Sequence, residues 1–362
     1  ITWGLEAYSD EVDSFREDFV GGVSQGPTIQ GSLADDASYD QFGVFLQDEL
    51  VNDDGDIETT LGVRWQYVAA EADSIDNPNV GGSDPSTPGN VLGLDESWST
   101  FVGSARTRFL VSDTDSVWVG VSQGFRAPSL SDLTADLEDS GVETPTPDLD
   151  PERFLSLEVG GRAGGDGWSA QAVVHHTWID DLIVRSPTGA FVGATPVFRK
   201  DNASEGRTYG VELSGELALT ERAADQASWT CYGGAAWMAT KVDQFRPDGV
   251  QISRPLSRTL PLNGHFGVRR VAADGRWFVE ADVLASDNAD KLSLRDEADT
   301  ERIPPGGTPG WAVLGVRART RINANSSLGI GLENLLNKDY RVHGSGQNEP
   351  GRNLVVTWRV RT

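Results

Sequence analysis

The stretch Ile57–Tyr67, which reads IETTLGVRWQY, decides the fold of this chain. Every second residue is mostly apolar or aromatic, and these residues are Ile57, Thr59, Leu61, Val63, Trp65 and Tyr67. The residues between them are mostly polar and include Glu58, Thr60, Arg64 and Gln66. An alternation with a period of two places the two sets on opposite faces of a β-strand. The same pattern recurs in the segments 153–163, 209–219, 311–322 and 353–360.

The length of these runs and the chemistry of their faces indicate strands that cross a membrane. Strands of soluble proteins average about 5 to 6 residues, whereas a tilted strand that crosses a bilayer needs roughly 9 to 11. A membrane barrel turns its apolar face to the lipid and its polar face into a wet lumen. No stretch of the sequence approaches the roughly 20 consecutive apolar residues that a membrane-spanning helix needs.

The connections between the predicted strands alternate between long and short. We place strands near residues 1–9, 41–50, 57–68, 98–110, 116–124, 152–164, 167–184, 206–219, 227–240, 258–272, 276–286, 310–322, 326–335 and 352–361. The long connections are 10–40, 69–97, 125–151, 185–205, 241–257, 287–309 and 336–351. Short connections carry the dipeptides Asp54-Gly55, Asp166-Gly167 and Asp274-Gly275, which suit tight hairpins. Because outer-membrane barrels have short periplasmic turns and long extracellular loops, the sequence predicts a transmembrane antiparallel up-and-down β-barrel.

Composition and charge exclude several classes of function. The net charge of −25 argues against a nucleic-acid partner, because phosphate binding requires basic patches. The single cysteine, Cys231, cannot form an internal disulfide or a cysteine-based zinc site. The sequence has no nucleophile elbow, phosphate-binding glycine loop or metal-spaced histidine pair, so we predict neither an enzyme nor a bound cofactor.

Five short motifs in order along the chain carry a family resemblance. The first box is Phe125-Arg126-Ala127-Pro128, and the second box is Pro147-Asp148-Leu149, followed by Glu152 and Glu158. Further on come a strand start with Gly210 and Glu212, the C-terminal box Glu333-Asn334, and the pair Gly351-Arg352. Together they resemble the motifs of TonB-dependent outer-membrane receptors. The resemblance spans residues 1–362, so we predict that the whole chain belongs to the barrel domain of that family.

The resemblance implies a function and a place in the cell. Receptors of this family lie in the outer membrane of Gram-negative-type cells, surrounded by its lipid, and import a scarce nutrient such as an iron complex, either a siderophore or heme. They carry a plug domain, on which a periplasmic energy-coupling protein, TonB, acts, and about 22 strands. Since we count about 14 strands and no plug, we predict a partial barrel with a truncated or processed N-terminus. The strands at 1–9 and 352–361 should then not pair with each other.

Three residues are candidate ligand contacts, although each also has a structural interpretation. Heme receptors of the family use a histidine between the first two boxes, but the segment 129–146 has none. His343 in the last long loop is therefore the candidate for contacting heme iron or another metal, or else it is a solvated loop residue. Phe125 and Arg126 of the first box are the other candidates. Phe125 and Trp118 can instead be aromatic residues of the membrane girdle.

Two alternatives remain open at this point. The acidic loops 10–40 and 129–151 offer oxygen ligands for Ca²⁺, or they form an acidic surface suited to a saline habitat. The alternative function is that of a passive diffusion porin, although such porins typically have 16 to 18 strands and no plug. A soluble adhesin built on a β-sandwich does not explain the long strands or the long loops at one end.

Overall fold

A computed structural model describes residues 1–77, 86, 88–134, 142–220, 226–246 and 248–361 of the chain. The strands are β1 (Thr2–Val12), β2 (Glu17–Val20), β3 (Val23–Pro27), β4 (Asp35–Val51), β5 (Ile57–Asp76), β6 (Val91–Leu110), β7 (Ser116–Arg126), β8 (Val142–Thr144), β9 (Glu152–Gly165), β10 (Trp168–Val192), β11 (Thr195–Ala218), β12 (Ser228–Phe245), β13 (Gln251–Arg254), β14 (Asn263–Val271), β15 (Trp277–Ser286), β16 (Trp311–Asn323), β17 (Ser326–Glu333) and β18 (Asn353–Val360). Two short helices are α1 (Leu130–Leu133) and α2 (Leu294–Ala298). Among the described residues, no helix is long and apolar enough to cross a membrane.

The long strands form one antiparallel sheet in which neighbours along the chain are neighbours in space. Its order is β1-β4-β5-β6-β7-β9-β10-β11-β12-β14-β15-β16-β17-β18, which confirms the fourteen predicted long strands. Within the described residues, β1 pairs only with β4 and β18 only with β17, so the sheet has two free edges. The predicted lack of pairing between the first and last strands is thus borne out, and the barrel is not closed.

The two faces of the sheet separate as the alternation predicts. On the outer face Leu61 is 43% exposed and Val356 is 61% exposed, although both are apolar. Leu61 lies opposite Ala105 on β6, and Val356 lies opposite Ile330 on β17, so the apolar face continues across strands. Exposed apolar area of this extent is unusual for a protein surrounded by water and is what a lipid-facing surface requires.

Aromatic residues mark the two borders of this apolar face. Trp168, Trp229, Trp277 and Trp358 lie on the outer face beside the short turns, and Trp178, Tyr209 and Trp237 lie on the same face toward the long loops. On β10, Trp168 and Trp178 are ten residues apart. That separation corresponds to about 33 Å along the strand and, at a tilt of about 40°, to about 25 Å along the membrane normal. The spacing matches the apolar band of outer-membrane barrels, which is about 25 Å tall.

The inner face carries charged side chains that pair across strands. Arg64 on β5 reaches Glu6 on β1 at 2.8 Å, and it passes over Gly43, where a Cβ would meet the guanidinium. Glu280 forms ion pairs with Arg269 at 2.5 Å and with Arg317 at 3.2 Å. These side chains point into the polar lumen, as the inward-facing set of each alternating run predicts.

Six strands extend at least five residues further toward the long loops than the sequence predicts, namely β4, β5, β6, β10, β11 and β12, whereas β14 begins at Asn263 and not at the predicted residue 258. The segment 185–205, predicted as a loop, is instead the continuation of β10 and β11, which remain paired to Val192 and Thr195. Most of 69–97 is likewise strand, within β5 and β6. At this end a small hydrophobic cluster buries Ala34, Ala37, Ala70, Ala72, Ile75, Leu94, Leu130, Leu133 and Leu149. The cluster joins the ends of β4, β5 and β6 to α1.

Candidate functional site

The first box ends β7 and turns the chain over the mouth of the sheet. Ala127 is 6% exposed, and the fully buried Pro128 accepts a hydrogen bond on its carbonyl oxygen from the Tyr39 hydroxyl at 3.0 Å. Phe125 is half-buried and shares the outer face of β7 with Val117 and Val121. Because proline cannot donate to a sheet, the strand ends here, and the following residues form α1. The box therefore fixes the direction in which this loop leaves the barrel.

Arg126 of the first box is held by two carboxylates. Its Nε donates to Glu152 Oε2 at 2.5 Å, and a terminal nitrogen donates to Asp132 Oδ2 at 2.7 Å. Glu152 lies opposite Arg126 in the β7–β9 ladder, and the exposed fraction of its side chain is 5%. Burial alone would raise the pKa of Asp132, but hydrogen bonds from Arg126 and Ser129 hold it below its ordinary value. Arg126 thus clamps α1 to the start of β9.

Three further residues, which the sequence analysis missed, extend this clamp. Lys200 Nζ lies 3.0 Å from Glu143 and 3.6 Å from Asp132. Arg185 pairs with the same Glu143 at 3.2 Å, and its guanidinium lies 3.9 Å from the centroid of the Phe198 ring. The network joins β8, β10 and β11 to α1. The sequence gives no signal for it, because β8 pairs with β11 in parallel across more than fifty residues of chain.

The second box contributes mainly packing. Leu149 is 4% exposed within the hydrophobic cluster, and its carbonyl oxygen accepts from Trp98 Nε1 at 3.2 Å. Pro147 is half-buried and Asp148 is exposed. The acidic residues Asp136, Glu138 and Asp139 of the same loop lie outside the described residues. The second box therefore anchors the returning end of the loop that the first box begins.

The motif residues of the central strands face the lumen. Trp118 Nε1 donates to Glu158 Oε1 at 2.7 Å, and Trp118 is 6% exposed. Trp118 is therefore not a girdle residue, because it lies on the opposite face of β7 from Val117. Gly210 lies under the His175 ring, where an added Cβ would approach Nε2 to 2.5 Å. Glu212 is exposed on the same lumenal face.

The C-terminal box forms a tight turn after β17. Asn334 has a left-handed backbone with φ of 46°, and its side-chain amide donates to the carbonyl oxygens of Lys338 at 2.7 Å and Pro350 at 3.1 Å. Arg352 Nε donates to the Leu335 carbonyl oxygen at 3.0 Å. Gly351 lies against Asn337 Oδ1, which a Cβ at position 351 would approach to 2.8 Å. The remaining member of the box, Glu333, accepts from Asn353 Nδ2 at 3.1 Å. These residues bring the last long loop back to β18.

His343 is not a solvated loop residue, because it is 8% exposed. Its Nδ1 lies 2.9 Å from the Thr308 hydroxyl, which belongs to the preceding long loop. Burial lowers the pKa of His343, with nearby Asp296 and Arg258 acting in opposite directions. Gly344 beside it has φ of 79° and leaves room for the Arg258 side chain. His343 thus joins three extracellular loops, and its role as a ligand contact stays a prediction.

The predicted acidic loop 10–40 brings three carboxylates together. Ligand oxygens of Asp13, Asp35 and Asp36 lie within 4.8 Å of one another. Asp35 Oδ1 also accepts from the Ser14 backbone N–H at 2.8 Å, so part of this cluster serves the loop itself. The prediction that these loops hold Ca²⁺ stays a prediction.

An open antiparallel sheet with an apolar outer face, a charged lumen and box-anchored loops at one end defines an outer-membrane β-barrel of the receptor type. Residues 2–335 match the family model described as TonB dependent receptor-like, beta-barrel. The chain therefore belongs to this family, whose members are receptors of the outer membrane of Gram-negative bacteria and not enzymes. The predicted family, fold and location are confirmed.

Particular relatives were found by sequence and by structure. The iron-regulated outer membrane virulence protein of Vibrio cholerae is 33% identical over 135 residues, which cover 33% of this chain and 21% of that protein. The copper transporter OprC is similar in structure, with a TM-score of 0.72 and 17% identity over 98% of this chain and 53% of OprC. The Serratia marcescens hemophore receptor HasR, solved with its hemophore HasA and heme, also has a TM-score of 0.72, with 14% identity over 99% of this chain and 55% of HasR. The chain spans about half the length of these two solved proteins.

Proposed function

We propose that this barrel belongs to a receptor that takes up an iron complex, a siderophore or heme, with energy supplied by TonB. The observation that carries the proposal is the similarity to an iron-regulated outer-membrane protein, together with loops anchored over the mouth by the first box. Family membership makes the passive porin the weaker alternative. Copper is the competing cargo, because OprC shares the fold at low identity.

The structure suggests how the loops serve uptake. Arg126 is the candidate contact with the better access, since 41% of its side chain is exposed while two carboxylates hold it. A guanidinium in this position can donate to an oxygen-rich ligand with its remaining N–H groups. Phe125 is the weaker candidate, because it lies on the outer face of β7, opposite to Arg126. In the proposal His343 acts on the ligand only if the Thr308 contact opens, because the closed loops cover the imidazole.

Uptake in cells tests this proposal. The receptor that contains this chain is expressed in a strain without iron receptors of its own, which is then supplied with a ferric siderophore, heme or copper. We expect growth on at least one iron complex, loss of that growth when the energy-coupling protein is deleted, and weaker growth with Arg126→Ala. Arg106→Ala, which removes an exposed lumenal arginine, is the matched control. Accumulation of copper without use of any iron complex would overturn the iron proposal, and uptake without energy coupling would favour the porin.

A further inference from the structure

Arg270 is a cation on the face of the sheet that is turned toward lipid. It lies opposite Trp229 on β12 and Val279 on β15, two residues along β14 from the outward-facing Val268. The residue is exposed, and the short turn after Val271 places it at the periplasmic border of the apolar band. A charged side chain on this face is costly within hydrocarbon, so its position at the border is where it can be tolerated.

Two indole rings hold the Arg270 side chain in place. The guanidinium carbon lies 5.2 Å from the centroid of the Trp229 ring and 5.7 Å from that of Trp277. Both distances are within the range of cation–π attraction, which is stronger where water is excluded. The rings belong to the periplasmic aromatic border, so the guanidinium is fixed at the level of the lipid headgroups.

The neighbouring residue on β14, Arg269, has a different kind of partner. Arg269 faces the lumen and pairs with Glu280 at 2.5 Å. Within the part of the chain that the structure describes, no carboxylate lies within 4 Å of the Arg270 guanidinium, and its neighbours there are the two indole rings. Among the described residues, Arg269 therefore pairs with a carboxylate, whereas Arg270 contacts two indole rings on the outer face.

We propose that Arg270, Trp229 and Trp277 form a binding site for the headgroup phosphate of a phospholipid in the periplasmic leaflet. A guanidinium can donate two parallel hydrogen bonds to phosphate oxygens, and its charge is complementary to theirs. The indole rings offer apolar area to the glycerol and the upper acyl chain, and an N–H group to the ester oxygens. This site would hold one lipid at a fixed place on the barrel, independently of the nutrient that the receptor carries.

Native mass spectrometry of the purified receptor tests the site. Phosphatidylglycerol is titrated against the parent protein, Arg270→Gln and Arg359→Gln, and diacylglycerol, which lacks the phosphate, serves as the control lipid. Arg359 is an exposed arginine near the same border, but it lies on the lumenal face opposite Ser327. We expect Arg270→Gln to weaken binding of the first phosphatidylglycerol about fivefold, the change that one interfacial cation produces. Arg359→Gln should leave it unchanged.

Two further measurements check that the variants fold and that the paired donors of Arg270 matter. Unchanged heat-modifiable mobility of each variant on gels shows that the barrel has folded. Arg270→Lys, which keeps the charge but not the paired donors, should fall between the parent and Arg270→Gln. Equal lipid binding by the parent and Arg270→Gln, an equal loss with Arg359→Gln, or equal affinity for diacylglycerol would each overturn the proposal.

Discussion

Removal of the Arg126 side chain is the perturbation for which the structure gives the most definite expectation. Arg126→Ala leaves Asp132 and Glu152 without their shared cation, and the exposed fractions of these two side chains are 12% and 5%. Breaking a buried ion pair by removing one partner costs about 3–5 kcal/mol. Because 41% of the Arg126 side chain is exposed, solvent screens part of this cost, and we expect about 2 kcal/mol.

This loss should act locally, on the docking of α1. The Thr134 amide donates to the Leu130 carbonyl oxygen at 2.9 Å, and the Leu133 amide donates to Ser129. If docking weakens by about 2 kcal/mol, these amides should exchange with deuterium about 30-fold faster in the variant. Arg106→Ala is the control, because its pair with Glu158 is 3.9 Å long and exposed on both sides. Unchanged exchange of these two amides in Arg126→Ala would refute the clamp.

Three more predictions concern packing, a turn and pH. Gly210→Ala should lower the stability of the folded barrel to urea by about 1–3 kcal/mol, because its Cβ would lie 2.6 Å from the Trp237 carbonyl oxygen; Gly329→Ala, where the nearest atom is 3.8 Å away, is the control, and equal urea midpoints would contradict the account. Asn334→Ala should make the segment after β17 susceptible to trypsin. The variant loses three hydrogen bonds, and alanine tolerates the left-handed backbone conformation less well than asparagine, at about 1 kcal/mol for each of these effects. The docking of α1 should be strongest above the ordinary pKa of an aspartate, about 4, and should weaken as the pH falls through the lowered pKa of Asp132. The difference in amide exchange rate between Arg126→Ala and the parent should therefore be smaller at pH 3 than at neutral pH, and a difference that grows at low pH would contradict the account.

The strands could be predicted because their two faces differ in chemistry at every second residue. The alternation in 116–124 also indicates the correct face for Trp118. Because Val117, Val119 and Val121 form the apolar outer face, Trp118 between them must point into the lumen. The alternative interpretation of Trp118 as a girdle residue rests on its residue type and not on its place in the pattern. The ends of β10 and β11 were missed because Pro187 and Gly189 are typical of loops, although Pro187 lies within the paired hairpin.

The contacts at the mouth could not be predicted, because their partners come from loops far apart in the chain. Thr308 lies 35 residues from His343, and no periodic pattern relates the two. Lys200 is 57 residues from Glu143 in the sequence and meets it only through the short parallel pairing of β8 with β11. By contrast, the sequence predicts Glu152 at the start of one long strand and Arg126 two residues beyond the end of the preceding one, and the observed register makes them direct neighbours.

Cysteine labelling of the receptor in intact outer membranes tests the central claim, that the apolar face of this sheet meets lipid. Cys231 is first replaced by serine, and single cysteines are placed at Leu61 and Val356 on the outer face and at Glu58 and Thr357 on the inner face. The account predicts that a lipid-soluble maleimide modifies the cysteines at 61 and 356 and leaves those at 58 and 357 unmodified. Modification at 58 and 357 with none at 61 and 356 would contradict the orientation of every strand in the sheet.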